Sequence, residues 1–365
     1  MALKILHTAD LHLDSPFEAL SPEKAATRRQ EQRALLDRLA AIVNEEGVDV
    51  VLMAGDLLDS AHSYRETHES LLLCLSRMNA RVFISPGNHD YYTPKSPYAF
   101  LKFPENVHIF KTPNITSVEL PELGCRIFGA GFGGRQSGPL LQGFSAPRDE
   151  LINIMVIHGE LAGDQYNPIR EPEIASSGLH YLALGHVHAF SGVRRAGMTV
   201  YAYPGCPEGR GFDETGEKGV LIGTVSHDGC DLAFRPVAAR QYKILRVDCS
   251  DSVNLLETVL SSLPGDTEND IYRIVLTGRT PSRPDTAMLS DALSSRFFHL
   301  SVLDETVPTR DIWDGAGEDS LRGLFLERLR LKYEAARDAG ERDEILRAVR
   351  FGLAALDNME EAAIL

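Results

Sequence analysis

One pattern recurs five times in the first 225 residues: a short apolar run rich in β-branched residues is followed at once by a turn of polar residues. The five runs are Lys4–Thr8, Val48–Met53, Arg81–Ser85, Ile152–Ile157 and Tyr181–Leu184. Apolar runs of this length that end in Gly, Asp, Asn or His are typical of buried strands. Between the first two runs, apolar residues recur at helical spacing from position 35 to position 43. The pattern therefore predicts a layered α/β domain.

The order of elements changes near Gln241. We predict a strand-helix-strand-helix-strand unit there, with its elements at Lys243–Val247, Val253–Leu263, Ile271–Thr277, Thr286–Phe297 and His299–Leu303. A segment rich in Thr, Pro, Asp and Gly follows, and then a charged helical stretch that Gly340 is expected to divide into two helices. We therefore predict four regions: a main domain (1–240), a small α+β cap (241–305), a linker (306–317) and a helical tail (318–365).

Composition and charge narrow the class of protein. Hydrophobic residues make up 43% and charged residues 24%, which are ordinary proportions for a globular chain. The net charge of −15 argues against nucleic-acid binding by electrostatics alone, because neutralising phosphates requires clustered Lys and Arg. The five cysteines have irregular spacing and form no disulfide framework, and neither a signal peptide nor a membrane span is recognisable. We therefore expect a cytoplasmic protein with reduced thiols.

The polar turns carry the chemistry. They contribute carboxylates, imidazoles and one amide, at Asp10, His12, Asp56, Asn88, His89, Asp90, His158, His186 and His188. Ligands bind at the carboxyl ends of strands in open α/β sheets, so we expect these side chains to converge on one crevice. Groups of these types suit manganese, iron or zinc. They outnumber the ligands of one ion, and a carboxylate such as Asp56 can bridge two cations, an arrangement that serves phosphoester hydrolysis.

The series Asp-x-His, Gly-Asp, Gly-Asn-His-Asp, His and Gly-His-x-His resembles the calcineurin-like metallophosphoesterase superfamily over residues 5–190. The resemblance implies a β-sandwich flanked by helices. It also implies two metal positions that share one carboxylate: the first has Asp10, His12, Asp56 and His188, and the second has Asp56, Asn88, His158 and His186. His89 would protonate the leaving oxygen or stabilise charge in the transition state, and Asp90 would orient its ring. The implied cofactors are two divalent ions, with Mn²⁺ ahead of Fe²⁺ and Zn²⁺.

Two stretches narrow the resemblance to the SbcD and YhaO-like branch, the bacterial relatives of the nuclease that processes DNA double-strand breaks. They are residues 7–17 (HTADLHLDSPF) and residues 203–219 (YPGCPEGRGFDETGEKG). In that branch a small DNA-facing cap follows the phosphoesterase domain, and a helical tail docks on an SMC-like coiled-coil ATPase. The resemblance implies a Mn²⁺-dependent DNA phosphodiesterase, a 3′→5′ exonuclease with some endonuclease activity, which works with such an ATPase in double-strand-break repair.

Two other functions stay open. A phosphatase or cyclic-nucleotide phosphodiesterase of the same superfamily would use the same ligands but would not need the cap and the tail. A non-catalytic, metal-bound scaffold that holds DNA ends for the ATPase would not need His89. The oligomeric state is also open, because one apolar stripe fits a homodimer contact and burial against the sheet equally well: Leu71, Leu72, Leu75 and Met78.

Three further expectations concern side chains outside the ligand set. His7, on the strand side of the first turn, is expected to be a satisfied core or edge histidine. The basic run that contains Arg28 is interpreted as a solvated helix face, because acidic residues interleave with it. Glu214 and Lys218 lie four residues apart and are expected to pair, holding a loop that closes the domain.

Overall fold

A computed structural model describes residues 2–60, 63–250, 252–309 and 312–356. Its first strands are β1 (Leu3–Thr8), β2 (Val50–Met53), β3 (Arg81–Ile84), β4 (Val107–Ile109), β5 (Thr116–Leu120), β6 (Cys125–Ala130), β7 (Ile152–His158), β8 (Tyr181–Gly185), β9 (Arg194–Ala196), β10 (Thr199–Ala202), β11 (Gly219–Ser226) and β12 (Gly229–Pro236). The α-helices described between them are α1 (Pro22–Glu45), α2 (Arg65–Arg77), α3 (Pro97–Phe100) and α4 (Glu171–Ser176). All five apolar runs are strands, namely β1, β2, β3, β7 and β8.

These strands form two six-stranded sheets. The first has the order β12-β11-β1-β2-β3-β4, in which β1 to β4 are parallel and β11 is antiparallel to β1. The second has the order β5-β6-β7-β8-β10-β9, in which β6, β7, β8 and β10 are parallel. In each sheet the parallel strands are neighbours, so their carboxyl ends lie side by side at one edge.

The two faces of each sheet pack against different layers of the protein. Successive residues of a strand point to opposite faces of its sheet. In β1, Ile5 belongs to an apolar cluster shared by both sheets, whereas Leu6 packs in a cluster with α1 and α2. In β7, Ile154 belongs to the shared cluster and Met155 to a third cluster that includes α4. The predicted layered fold, a β-sandwich flanked by helices, is confirmed, and burial of both sheet faces explains the continuous apolar runs.

Helix α1 begins where the sequence provides a cap. The Ser21 side chain accepts a hydrogen bond from the Lys24 amide, and Pro22 occupies the first turn, where its missing N–H costs nothing. The predicted apolar stripe of this helix is buried, at Leu35, Leu36, Leu39, Ile42 and Val43. The helix therefore covers the outer face of the first sheet.

Two expectations about the core are decided by burial. Leu71, Leu75 and Met78 lie in the cluster that includes α1, and Leu72 is half-buried, so most of this stripe packs inside the protein; a homodimer stays a prediction. His7 is fully buried, and its ring contacts the Tyr181 hydroxyl at 2.8 Å and a main-chain carbonyl at 3.2 Å. It is the satisfied core histidine that its position on the strand predicted.

The elements after residue 241 follow the predicted order. They are β13 (Tyr242–Asp248), α5 (Leu255–Ser262), β14 (Ile271–Thr277), β15 (Arg279–Thr280), α6 (Thr286–Leu293), β16 (His299–Asp304) and β17 (Val307–Pro308). A three-stranded sheet has the order β13-β14-β16, and β15 pairs with β17. β17 lies inside the segment predicted as a linker.

The chain forms two compact units. One contains the chain through Ile244 together with Asp266–Arg273 and Ser294–Leu300. The other contains Leu245–Gly265, Ile274–Leu293 and the chain from Ser301 onward. The four regions predicted from the sequence stay predictions.

The tail contains α7 (Leu321–Glu334) and α8 (Ala339–Leu356), and residues 357–365 lie outside the described residues. Gly340 does not divide the two helices as expected. The break falls at residues 335–338, and Gly340 lies in the first turn of α8. No helix in the described part of the chain is both long and apolar enough to span a membrane.

Helices α7 and α8 pack against each other. A Cβ atom on Gly352 would lie 2.1 Å from the Phe325 ring, so a glycine is needed for this close approach. Three leucines of α7 stay exposed: Leu321, Leu324 and Leu331.

Candidate metal centre

The turns after five strands meet at one edge of the sandwich. In chain order they carry Asp10 and His12 after β1, Asp56 after β2, Asn88 after β3, His158 at the end of β7, and His186 and His188 after β8. Each of these seven side chains lies 2.9–3.8 Å from another member of the set. The two sheets contribute to one crevice, which the order of the motifs predicted.

The backbone at this edge adopts conformations that most residues avoid. The φ angle is 54° at Asp10, 42° at His12, 50° at Asp56 and 110° at His186. Such positive values cost on the order of 1–3 kcal/mol per non-glycine residue and persist only where the surroundings impose them. Main-chain hydrogen bonds of 2.9 Å impose them here, from the Asp10 amide to the Gly55 carbonyl and from the His12 amide to the Asp56 carbonyl.

Gly55 and Gly185 allow two of the turns to come close together. A Cβ atom on Gly55, where φ is 89°, would lie 2.6 Å from Nδ1 of His158. A Cβ atom on Gly185 would overlap the Ala54 carbonyl oxygen. Both positions therefore require glycine if the imidazoles are to reach the carboxylates.

His12 and His188 face each other in the first group of donors. Their Nε2 atoms lie 3.2 Å apart. Nδ1 of His12 is 3.0 Å from Oδ1 of Asp59, and Nδ1 of His188 is 2.7 Å from Oε1 of Glu214. Because an ionised carboxylate only accepts hydrogen bonds, Nδ1 of His12 donates to Asp59 and its Nε2 carries a lone pair. Nδ1 of His188 has two neighbours, Oε1 of Glu214 and Nη2 of Arg210 at 3.0 Å, and the contact to Glu214 is the shorter. With Nδ1 of His188 donating to Glu214, two lone pairs point at each other with no proton between them.

Asp10 and Asp56 add negative charge at the same place. Oδ1 of Asp10 is 3.8 Å from Nε2 of His188, and Oδ2 of Asp56 is 3.7 Å from Nε2 of His12. Burial raises the pKa of Asp10 well above its usual range, and the Asp56 carboxylate raises it further. Burial also opposes ionisation of Asp56, but the His158 and His12 rings hold its pKa below the usual value. A cation between these groups would relieve the repulsion of the two carboxylates.

Asn88, His158 and His186 form the second group. Nδ1 of His158 donates to the Ala54 carbonyl at 2.9 Å, so its Nε2 carries a lone pair. That Nε2 lies 2.9 Å from Oδ1 of Asn88, itself an acceptor, and 3.5 Å from Oδ2 of Asp56. Nδ1 of His186 lies 3.2 Å from the same Asn88 oxygen. Acceptor atoms of His158, Asn88 and Asp56 again converge, and Nδ1 of His186 lies beside them, 3.3 Å from Nε2 of His158.

Both groups fit a divalent cation. Imidazole nitrogens with carboxylate and amide oxygens are the ligands that ions such as manganese, iron and zinc accept. Burial lowers the pKa of His12 and of His186 to about 4, so both rings are neutral and free to coordinate at pH 7. Potential ligand atoms come within 4.8 Å of one another in three triads, which are Asp10, His12 and His188; His12, Asp56 and His89; and Asp10, Asp56 and His158.

His89 and Asp90 are adjacent in sequence but have separate partners. Nδ1 of His89 lies 3.1 Å from the Asp59 carbonyl, and the ring is exposed. The Asp90 carboxylate is buried and accepts hydrogen bonds from five donors: the amides of Asp56, Leu57, Leu58 and Gly87 and the hydroxyl of Tyr98. The expectation that Asp90 orients the His89 ring is therefore wrong. Asp90 instead ties the turn after β2 to the turn after β3.

Residues 3–190 match the family model described as Calcineurin-like phosphoesterase, and this region includes every turn of the crevice. The chain belongs to the calcineurin-like metallophosphoesterase family. Members of this family use divalent metals, in agreement with the converging donors.

The relatives of this metallophosphoesterase include nucleases. The chain is 30% identical to the uncharacterized metallophosphoesterase YhaO of Bacillus subtilis, over 76% of this chain and 72% of the relative. It is 27% identical to the SbcD component of the nuclease SbcCD of Bacillus subtilis, over 59% of this chain and 64% of the relative. It is 25% identical to the DNA double-strand break repair protein Mre11 of Methanopyrus kandleri, over 56% of this chain and 49% of the relative. The resemblance found in the sequence is confirmed, and these relatives agree with the SbcD and YhaO-like branch.

Three side chains behind the ligands of the metallophosphoesterase centre were not predicted as part of it. Asp59 contacts His12, Glu214 contacts His188, and Arg210 lies between the two carboxylates, with Nη1 3.3 Å from Asp59 and Nη2 2.6 Å from Glu214. Asp59 follows Asp56 by three residues, and a carboxylate this close to a predicted ligand was a usable sign. Arg210 and Glu214 lie in the 203–219 stretch that narrowed the family resemblance, but nothing in that stretch pointed to their place behind His188.

The expected pairing of Glu214 with Lys218 is wrong. Nζ of Lys218 donates to the His188 carbonyl at 2.9 Å, whereas Glu214 accepts from His188 and Arg210. Hydrogen bonds from the His188 ring and from Arg210 overcome the effect of burial and hold the pKa of Glu214 well below its usual range. Glu214 is therefore an ionised hydrogen-bond partner of the His188 ring and does not pair with Lys218 to hold the loop.

The basic run on α1 is not a simple solvated face. Arg28 is fully buried and donates to Glu208 at 2.9 Å and to the Gly209 carbonyl at 3.1 Å. It also pairs with Glu31 on its own helix. The interpretation from interleaved charges is wrong at this position, because the partner comes from a segment 180 residues away.

Proposed function

We propose that this metallophosphoesterase is a two-metal phosphodiesterase that acts on DNA, with Mn²⁺ as its ion. The observation that carries the proposal is the pair of adjoining donor groups that share Asp56. Paired divalent ions roughly 3.5–4 Å apart suit in-line displacement at phosphorus. Two relatives, named as part of a nuclease and as a DNA double-strand break repair protein, support DNA as the substrate.

The proposal assigns two ion positions. The ligands of position 1 are Asp10, His12, Asp56 and His188, and those of position 2 are Asp56, Asn88, His158 and His186. When bound, divalent ions would lower the pKa of water to about 7 and neutralise charge on the phosphate. The protein contributes ligands that are buried or half-buried, and Asp59, Glu214 and the Ala54 carbonyl orient the rings of His12, His188 and His158.

His89 is the proposed proton donor to the leaving oxygen. Its exposed ring lies beside position 1, with the centroid 4.7 Å from that of His12. Nδ1 is held at the Asp59 carbonyl, so Nε2 is the atom from which a proton can pass to the substrate when the ring is charged.

The overall charge limits how the isolated chain can hold DNA. With a net charge of −15, we expect weak affinity that falls with salt. We therefore propose an SMC-like coiled-coil ATPase as partner, docked on the tail. Leu321, Leu324 and Leu331 are spaced three and seven residues apart, so they lie on one face of α7, and exposed apolar stripes mark interaction sites.

Three finer features of the proposal rest on the family resemblance. They are 3′→5′ exonuclease polarity with some endonuclease activity, a role in double-strand-break repair, and a cytoplasmic location. End-labelled duplexes with a blocked 3′ end would separate the exonuclease from the endonuclease activity.

The central experiment incubates the purified full chain and Mn²⁺ with end-labelled duplex DNA, a cyclic nucleotide and a phosphomonoester. We expect the duplex to be degraded, His89→Ala to slow this reaction by about 10²–10⁴-fold and Asp56→Asn to abolish it. Asp149→Asn is the matched control, because Asp149 is paired with Arg126 outside the crevice. Cleavage of the small phosphoesters alone would favour the phosphatase or cyclic-nucleotide phosphodiesterase alternative.

The scaffold alternative has a different signature. A scaffold would bind the ATPase and hydrolyse nothing, with or without Mn²⁺. To test the docking face, we would measure binding of the full chain to the coiled-coil base of the ATPase and compare the double variant Leu324→Ser/Leu331→Ser. Met288→Ser is the matched control, since Met288 is an exposed apolar residue on α6. Equal loss of binding in both variants would contradict docking through α7.

A further inference from the structure

The two ion positions differ in what lies behind their histidines. In position 1, Nδ1 of both His12 and His188 contacts a carboxylate, whereas in position 2 Nδ1 of His158 contacts a main-chain carbonyl. Building on the proposed function, we propose that Asp59 and Glu214 are positioning residues that give position 1 the higher affinity. The two ions then bind in a fixed order.

Asp59 and Glu214 affect ion binding at position 1 through the rings of His12 and His188. Oδ1 of Asp59 lies 3.0 Å from Nδ1 of His12, and Oε1 of Glu214 lies 2.7 Å from Nδ1 of His188. A carboxylate in this place fixes the tautomer and orientation of the ring and makes it a more basic ligand. Position 1 also has two carboxylate ligands, whereas position 2 has only the one that both share. Both effects favour a divalent cation at position 1.

Arg210 keeps the two carboxylates in place. Its guanidinium lies 2.6 Å from Glu214 and 3.3 Å from Asp59, and its main-chain amide donates to Oε2 of Glu214 at 2.8 Å. Nη2 also lies 3.0 Å from Nδ1 of His188, so the arginine contacts the ligand ring as well as the carboxylate behind it. The side chain is 19% exposed and its donors are used within the protein, so it holds the carboxylates rather than a substrate phosphate. Two residues earlier, the buried pair of Glu208 with Arg28 anchors the same segment to α1.

Position 2 lacks this support. The Ala54 carbonyl behind His158 is neutral, and Asn88 offers a neutral amide oxygen. Near His186 there is a carboxylate, Glu160, but its Oε2 is 3.9 Å from Nε2, too far for a hydrogen bond. Its other oxygen accepts two main-chain amides of the following loop at 2.8 and 2.9 Å, which spreads its charge away from the ring.

Unequal affinity gives the second ion a controlling role. At ion concentrations between the two dissociation constants, the chain holds one ion in position 1 while position 2 remains open. Because the proposed reaction needs both ions, cleavage would then follow the occupancy of position 2 alone. The supply of the second ion would set the active fraction of the enzyme.

Titration of the metal-free full chain with Mn²⁺, read from the electron paramagnetic resonance of the free ion, measures both steps without nucleic acid. We expect two steps whose dissociation constants differ by about 10-fold or more, the range typical of supporting contacts. Glu214→Gln and Asp59→Asn should each weaken binding at position 1 by about 10–100-fold and leave the affinity of position 2 unchanged, so that the gap between the two steps closes or reverses. Asn88→Ala should weaken only the second.

Matched controls separate the site from general effects of charge. Glu119→Gln and Asp149→Asn remove carboxylates that pair with Arg126, and both steps should be unchanged. A step retained at the affinity of position 2 in Glu214→Gln also shows that this variant has folded. Equal steps in the wild type, or an unchanged first step in both Glu214→Gln and Asp59→Asn, would overturn the inference. Since no DNA is present, failure of the nuclease assay leaves this result standing, whereas absence of any Mn²⁺ binding would overturn both proposals.

Discussion

The Tyr98 hydroxyl donates a 2.6 Å hydrogen bond to Oδ2 of Asp90, and both side chains are buried. The same carboxylate accepts the amides of Leu57 at 2.7 Å and Gly87 at 2.8 Å. Hydrogen bonds to an ionised acceptor are roughly twice as strong as neutral ones. Asp90 therefore contributes to the relative position of two ligand-bearing turns, and its removal should be felt in the fold.

Asp90→Asn should lower the free energy of unfolding by about 3 kcal/mol, because the new amide group would face main-chain N–H donors and leave one of them unsatisfied. Urea unfolding in EDTA measures this. His89→Ala is the control: its exposed ring should change stability by less than about 0.5 kcal/mol, while cleavage falls by about 10²–10⁴-fold. A fully stable but inactive Asp90→Asn would restore the catalytic role expected from the sequence.

Glu208→Gln should destabilise the fold by about 3 kcal/mol, since breaking a buried ion pair leaves an uncompensated charge. Glu208 is fully buried and lies 2.9 Å from Arg28 and 2.8 Å from Arg38. Chemical denaturation compares it with Glu119→Gln, whose exposed carboxylate should contribute less than about 1 kcal/mol, because the buried Arg126 keeps Asp149 as a second partner. Similar losses in the two variants would show that burial of this pair has no special effect.

His7 should make stability depend on pH. Burial lowers the pKa of His7 to about 3, whereas an unfolded histidine titrates near 6.5, so only the unfolded chain takes up this proton between those values. The stabilising effect is complete above pH 6.5 and is lost as the pH falls toward 3. Between pH 6.5 and pH 5 the free energy of unfolding of the wild type should fall by about 2 kcal/mol more than that of His7→Gln. Parallel pH profiles for the two proteins would contradict this.

Mn²⁺ should stabilise the metal-free chain through the shared carboxylate. An ion that binds only the folded state adds about 2.7 kcal/mol at 100 times its dissociation constant. Thermal unfolding with Mn²⁺ and with EDTA should differ accordingly in the wild type and in Asp149→Asn, and the difference should largely vanish in Asp56→Asn. An unchanged shift in Asp56→Asn would mean that the ion binds elsewhere.

The strands and the ligand-bearing turns could be predicted because their signs are local. An apolar run such as that of β1 and a turn such as Asp10-x-His12 are read within a few residues of each other. The rule that parallel strands end at one edge placed the motifs of each sheet side by side. His12 and His188 come from different sheets, and the packing of the two sheets brings their Nε2 atoms to 3.2 Å.

The supporting side chains could not be predicted in this way, because their partners are distant in sequence and follow no period. Arg28 sits among charged residues and is buried only because Glu208 reaches it from another segment. Asp90 follows the proposed proton donor directly, but its side chain points to the main chain of residues 56–58. Adjacency in sequence favoured the wrong partner.

The left-handed backbone at Asp10, His12, Asp56 and His186 has a consequence for protein engineering. If these side chains were copied onto the regular turns of another α/β scaffold, they would point in the wrong directions, since ordinary turns would not sustain four such backbone conformations. A functional graft would have to carry over the paired turns and their main-chain hydrogen bonds as one block. In this protein the unit that could be transferred is the backbone conformation of the turns, because that conformation sets the direction of every ligand side chain.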